Sequence, residues 1–363
     1  MNLSQINKKL ALIGGVVVGL VVVAVIAIFI IARDNNLEFS AIEQQLRRGA
    51  EKYFKDNADL LPKENGQKTV VDVTTLENGE YIPLLSKMVK NDVVCNGEVR
   101  VSKNGKHYLY VPYLNCGKEY VTEELYKKII NPSNIVTKDD GLYKINNEYV
   151  FRGEPTNNFV EFAGQKWLII KVDKDNHIKI MQYENKNRFV WDNRYNIDRN
   201  SNEGINNYLK SSIETELLNL FDSEELIPEK EKRFVVYKPF CIGKRSETAA
   251  DKSGKVECAK MTKAQPLGLI TVGEFLTASL DKNCKTTYDA SCQNYNYLAK
   301  FEHSWWTITG NKEKSHRIYR VSSSFITDTS ASNEIRIKPV LHLSDNIIYS
   351  GGIGTFDDPY IIK

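Results

Sequence analysis

The sequence predicts an α+β fold carried behind a transmembrane helix. Three observations predict it: a 23-residue uncharged apolar run near the N-terminus, more strand-like than helix-like runs joined by long irregular loops, and six cysteines in three local couples. With 363 residues, 42% hydrophobic and 26% charged, the chain is a folded one of about two domains plus an appendage, neither collagen-like nor largely disordered. Its 49 Lys+Arg against 46 Asp+Glu leave a formal charge of +3, too little to draw it to nucleic acid.

The apolar run, Leu10 to Ala32, is mostly Leu, Ile and Val. As a helix it spans roughly 34 Å, enough to cross a bilayer. It is longer than the apolar core of a cleaved signal peptide and lacks a small-x-small site at its end, so it reads as an uncleaved anchor. Lys8 and Lys9 precede it, while Arg33 is followed at once by Asp34. The positive-inside rule then leaves residues 1–9 as a cytoplasmic tail and exports everything after residue 32 as a single-pass cell-surface protein. Membrane lipid around residues 10–32 is one expected partner. Gly15 and Gly19 form a Gly-x-x-x-Gly face suited to lateral association of the helix.

An oxidising compartment bridges cysteines. Sequence proximity favours Cys95 with Cys116, Cys241 with Cys258 and Cys284 with Cys292, although six cysteines allow other connectivities. No Cys-x-x-Cys is present, which argues against zinc. Each such closure stabilises a fold by about 3 kcal/mol in the chain-entropy description.

After the span, Phe39, Ile42, Leu46, Ala50, Tyr53 and Phe54 recur at helical spacing, predicting an amphipathic stem. A turn at Pro62 to Gly66 and a stretch from Thr74 to Met88 follow. Strand-like runs at Val93 to Val101 and His107 to Tyr113 flank Asn104-Gly105, a strong hairpin signal. Residues 33–130 make this first, stem domain. Residues 131–148 are polar and rich in turn formers, and read as a linker.

The second domain, 149–363, opens with strands at Lys166 to Val172 and Ile178 to Tyr183. Ile205, Leu209, Ile213, Leu217 and Leu220 predict a helix over Glu203 to Phe221. Thr271-Val272-Gly273-Glu274 has capping-box spacing and should start a short helix. Ser304 to Thr309, Arg317 to Val321 and Ile335 to Leu343 read as strands, which makes this domain an irregular antiparallel α+β one.

Candidate ligand-binding residues are Trp305, Trp306, Arg336 and Lys338. Adjacent residues on a strand point to opposite faces, so one indole of Trp305-Trp306 should fill the core while the other faces a surface and can stack on a sugar. Arg336, Lys338 and His342 alternate on one face of the Ile335 to Leu343 strand, with Ile337 and Leu341 on the other. Enzyme signatures are missing: no Gly-x-Ser-x-Gly, no phosphate loop, and five histidines in no recognisable motif. No catalytic residue, cofactor or metal ligand is expected.

Two resemblances sharpen this reading. The span, stem and hairpin are similar to the pilin and pseudopilin plan, a membrane-embedded helix continuing into a stem packed on a small antiparallel sheet. In the second domain, Phe159 to Phe162 ahead of Lys166-Trp167-Leu168-Ile169-Ile170, Asn207-Tyr208-Leu209, Trp305-Trp306 with Gly310, Ile335-Arg336-Ile337-Lys338-Pro339-Val340, and Gly354-Thr355 with Pro359-Tyr360 form an ordered set. That set resembles a domain family of Gram-positive bacterial surface proteins that looks like the C-type lectin and formylglycine-generating enzyme fold. The resemblance implies a stable sheet with variable loops, and a non-enzymatic recognition or display protein for a cell-surface glycan or protein ligand. The alternative it leaves open is a pseudopilin-like structural or assembly subunit.

Overall fold

A computed structural model describes residues 39–89, 93–322 and 325–363. The expected cytoplasmic tail and membrane span lie outside these residues. Among the described residues no helix is long and apolar enough to cross a membrane. The chain divides into two compact units: the first holds residues 39–61, 69–89, 93–100 and 112–122, the second residues 62–68, 101–111 and 123–363.

In the first unit a helix, α1 (39–56), buries Ile42, Leu46, Ala50 and Phe54, one residue per turn along a single face. Phe39 stacks on Tyr120 with ring centroids 4.6 Å apart, and Tyr53 meets Tyr81 edge-on at 5.4 Å. Buried Glu43 accepts a hydrogen bond of 2.8 Å from the Tyr120 hydroxyl, which offsets its desolvation. Two short helices follow, α2 (Val73–Asn78) and α3 (Leu85–Met88). The Asp72 carboxylate caps α2 by accepting the Thr75 N–H at 2.6 Å. Residues 69–72, 96–100 and 112–115 of this unit belong to a sheet of order β1 (Lys68–Asp72), β2 (Asn96–Asn104) and β3 (His107–Asn115), whose other residues fall in the second unit. Gly105, at φ 61°, occupies the two-residue turn of the β2–β3 hairpin as the Asn-Gly signal predicts. The Cys95–Cys116 disulfide joins the residues just outside the hairpin's open end.

The long stretch of the second unit, from residue 123 on, opens with α4 (Leu125–Ile129) and forms two sheets. The larger one has nine strands: β4 (Gly141–Ile145), β5 (Glu148–Arg152), β6 (Phe159–Phe162), β7 (Gln165–Val172), β8 (Ile178–Gln182), β10 (Val235–Val236), β15 (Val340–Leu343), β16 (Tyr349–Gly351) and β17 (Tyr360–Ile362). Its order is β10-β15-β8-β7-β6-β17-β16, with β5 also on β7 and β4 on β5. The smaller sheet runs β13 (Phe325–Ser330), β12 (Arg317–Ser322), β11 (Trp305–Gly310), β14 (Glu334–Arg336), β9 (Arg188–Val190). Three helices complete the unit: α5 (Ser212–Asp222), α6 (Lys255–Cys258) and α7 (Val272–Ala278). The expected α+β class holds for the described residues. All three local disulfides are present, with Cys241–Cys258 and Cys284–Cys292 in this unit.

Central strands read as expected because burial on both faces demands continuous apolar runs. Leu168 to Ile170 of β7 and Ile178 to Met181 of β8 are buried, and only Lys179 among these is charged. The capping box at the start of α7 forms as predicted, Thr271 accepting from the Glu274 N–H and Glu274 from the Thr271 N–H.

Four expectations are corrected. The residues read as a linker, 131–148, include β4, which pairs with β5, so polar turn formers there separate strands of one sheet. The helix expected from Glu203 starts only at Ser212: Lys210 has φ 65°, and Ser211 caps α5 by accepting the Glu214 N–H. The run Ile335 to Leu343 is two strands, because Pro339 has no N–H to donate and restricts Lys338 before it. β14 joins the smaller sheet and β15 the larger, so Arg336, Lys338 and His342 do not share a strand face. Fourth, neither indole of Trp305-Trp306 reaches a surface; they are 1% and 0% exposed. β11 lies between β12 and β14 and is covered on both faces.

Candidate functional site

The smaller sheet brings three arginines to one groove. β9 pairs antiparallel with β14 so that Arg188 lies directly opposite Arg336. β14 pairs in parallel with β11, placing Arg336 beside Trp305, and β12 on the other side of β11 sets Arg320 opposite Trp306. The result is a groove of about 570 Å³ lined by Arg188, Arg320, Arg336, His303, Ser304 and Glu334, among others.

Like charges at directly opposed strand positions repel. Arg188 relieves part of this by donating from Nη2 to the Glu334 backbone carbonyl at 2.7 Å. Among the described residues, the Arg320 and Arg336 side chains have no hydrogen-bond or ion-pair partner. Arg320 is half-buried with its Nε shielded from solvent, and burial followed by the Arg317 charge weakens its hold on the proton, though a guanidinium stays charged. The two buried indoles lie outside the groove lining and anchor β11 on its two faces. Trp306 Nε1 donates to the Phe189 carbonyl at 2.9 Å, tying β11 to β9, and Trp305 packs edge-on against Phe301 at 6.1 Å.

Of the four residues expected to bind a ligand, only Arg336 lines this groove. Trp305 and Trp306 support it from within. Lys338 is buried: its ammonium donates to the Tyr183 carbonyl and lies 3.5 Å from the centre of the Phe301 ring. Burial first, and then the Arg336 charge, push its pKa down to about 7, with Glu184 pulling the other way. Arg188 and Arg320 escape sequence reasoning, since no local signal joins residues so far apart: strand register sets Arg188 opposite Arg336, and the groove lining adds Arg320.

Asp173, Asp175 and His177 place metal-ligand atoms within 4.8 Å of one another. The Lys238 ammonium already occupies that cluster, donating to Asp173 and lying 3.1 Å from Asp175 Oδ2 and 3.0 Å from His177 Nδ1. A divalent cation there would have to displace it.

Compared with family models, curated proteins and solved structures, the chain matches none. Its site is defined by its own geometry. Unpaired guanidinium forks arranged in a groove suit the bidentate recognition of oxyanions, carboxylate or phosphate.

Proposed function

We propose that this chain is a membrane-anchored extracellular recognition protein, non-enzymatic, whose second unit binds an oxyanion-bearing surface ligand in the arginine groove. The observation that carries the reading is the convergence of Arg188, Arg320 and Arg336 with no carboxylate partner for the last two among the described residues. Three disulfides fit an oxidising, extracellular setting, and the 23-residue apolar run supplies the anchor. The lectin-like resemblance of residues 149–363 agrees with a recognition role, but moves the contact from indole stacking to guanidinium pairing. The pseudopilin-like assembly role also expects a stem that buries its apolar face within its own unit, as α1 does, so the arginine groove is what favours recognition.

The test uses the full-length oxidised chain in detergent micelles, titrated with polygalacturonate and with polyphosphate as carboxylate and phosphate probes. Saturable binding that weakens with salt, and that falls at least roughly tenfold in an Arg320→Gln/Arg336→Gln double variant, is the expected result. Binding unaffected by the double substitution would remove the groove from the function.

A further inference from the structure

A second, chemically opposite site lies on the larger sheet. One row of register partners crosses four strands: Lys171 on β7 faces Lys179 on β8, Lys179 faces His342 on β15, and His342 faces Val236 on β10. Lys171, Lys179 and His342 of this row line a cavity of about 450 Å³, which is bounded elsewhere by Phe240, Tyr297, Glu274 at the start of α7, and the Cys241–Cys258 disulfide.

Three of the lysines that line the cavity are matched, while Lys252 and the exposed Lys174 have no ion pair among the described residues. Lys171 pairs with Glu148 at 2.9 Å, Lys179 with Glu274, and Lys238 with Asp173 and Asp175. Glu274 serves twice, because its other oxygen accepts the Thr271 N–H at 2.9 Å in the α7 capping box. A charged ligand would break this balance and leave a buried charge uncompensated.

Two polar atoms in the wall are not matched. His342 Nδ1 and Tyr297 Oη have no hydrogen-bond partner among the described residues, and their residues are only 6% and 7% exposed. Buried polar groups are almost always paired, so two orphans on residues that line one cavity point to something that pairs them. Both are neutral at pH 7. Burial, reinforced by Lys179 and Lys238, drives the imidazole pKa well below 6.5, and burial with the Glu274 charge raises the phenol pKa. A neutral imidazole offers a donor at one nitrogen and an acceptor at the other, and the phenol adds a donor. The Phe240 ring, 5.4 Å from that of His342, gives the wall an apolar face. An apolar wall with a few placed polar groups is the usual composition of a small-molecule site.

We propose that this cavity binds a small uncharged molecule bearing hydroxyl or amide groups, held by Tyr297 and His342, and that the paired lysines exclude charged analogues. The proposal is independent of the arginine groove. It is tested on the full-length oxidised chain in micelles by ligand-observed NMR and calorimetry in the millimolar range. The neutral probes are glucose, N-acetylglucosamine and N-acetylalanine amide; glucosamine and glucuronate are cationic and anionic analogues of the same ring size. At least one neutral probe is expected to saturate the chain, with its charged analogues bound at least roughly tenfold more weakly. Tyr297→Phe, which removes only an oxygen, and His342→Leu should each weaken that binding roughly tenfold while tryptophan fluorescence stays native. The Arg320→Gln/Arg336→Gln variant should bind the neutral probe as the wild type does. Saturation by none of the neutral probes, equal binding of glucosamine or glucuronate, unchanged affinity in natively folded Tyr297→Phe, or parallel loss in the arginine variant would each overturn the proposal.

Discussion

Replacing Lys338 with Met tests the electrostatics beside the groove most directly. Lys338 is 6% exposed, and its ammonium is held by one carbonyl and the Phe301 face rather than by a carboxylate. Its pKa falls from 10.5 to about 7, through burial first and Arg336 second. Between those values the unfolded chain binds a proton that the native protein does not, so native stability rises with pH across that window. Below it both states are protonated and the charge-burial penalty is present in full; above it neither is, and the penalty is gone. For one such group the wild type should gain about 2 kcal/mol between pH 7 and pH 9. Lys338→Met should lack that gain and be the more stable protein at pH 7. Urea denaturation followed by tryptophan fluorescence reads this out, because Trp167, Trp191, Trp305 and Trp306 are all buried in the second unit. Comparing variant with wild type cancels groups that titrate equally in both. Parallel stability profiles for the two proteins would refute the reasoning. An oxyanion bound at Arg336 should move the wild-type rise to higher pH, since it removes part of the repulsion that depresses Lys338.

The same titration checks three further outcomes. Glu257→Gln should destabilise the second unit by about 3 to 5 kcal/mol, because it leaves a fully buried guanidinium without its counter-charge; Arg245 and Glu257 are both 0% exposed and meet at 2.9 Å. A loss under about 1 kcal/mol would mean that the Arg245 contacts to the Ala249 and Asp251 carbonyls suffice alone. Thr271→Ala should cost about 1 kcal/mol by breaking the α7 capping box, and an unchanged midpoint would show that tertiary packing alone holds that helix. Replacing both Cys241 and Cys258 with Ser should lower stability by about 3 kcal/mol, the loop-closure value for their separation of 17 residues. No loss would place the same restraint in the Cys241–Met261 bridge and the backbone hydrogen bonds around it.

What could be read from the sequence was local. The α7 cap, the Asn-Gly hairpin, the buried β7 and β8 runs and the three near-neighbour disulfides each depend on residues within a few turns or strands of one another. Errors arose where local chemistry and tertiary context disagree. Ile205 and Leu209 continue the apolar period of α5, yet a left-handed backbone at Lys210 ends the helix before they can join it. Polar turn formers in 131–148 resemble a linker, but a two-strand ladder bracketed by loops uses the same residues. Alternation across Ile335 to Leu343 reads as one strand, but Pro339 divides it between two sheets.

The two sites differ in legibility for the same reason. Lys179 is a charge inside an apolar strand, and such a residue announces a buried partner even in sequence, although Glu274 as that partner is 95 residues away. Arg336 also stood out, but its meaning depends on Arg188 at the register position across β9 and on Arg320 beyond β11. Register therefore decides the character of each site. Where the sheet sets Lys171 and Lys179 side by side, Glu148 and Glu274 come with them, and the cavity selects against charge. Where it sets Arg188 opposite Arg336 with no carboxylate to pair either side chain among the described residues, the repulsion is relieved only in part, by the Glu334 carbonyl, and an incoming oxyanion lowers it further.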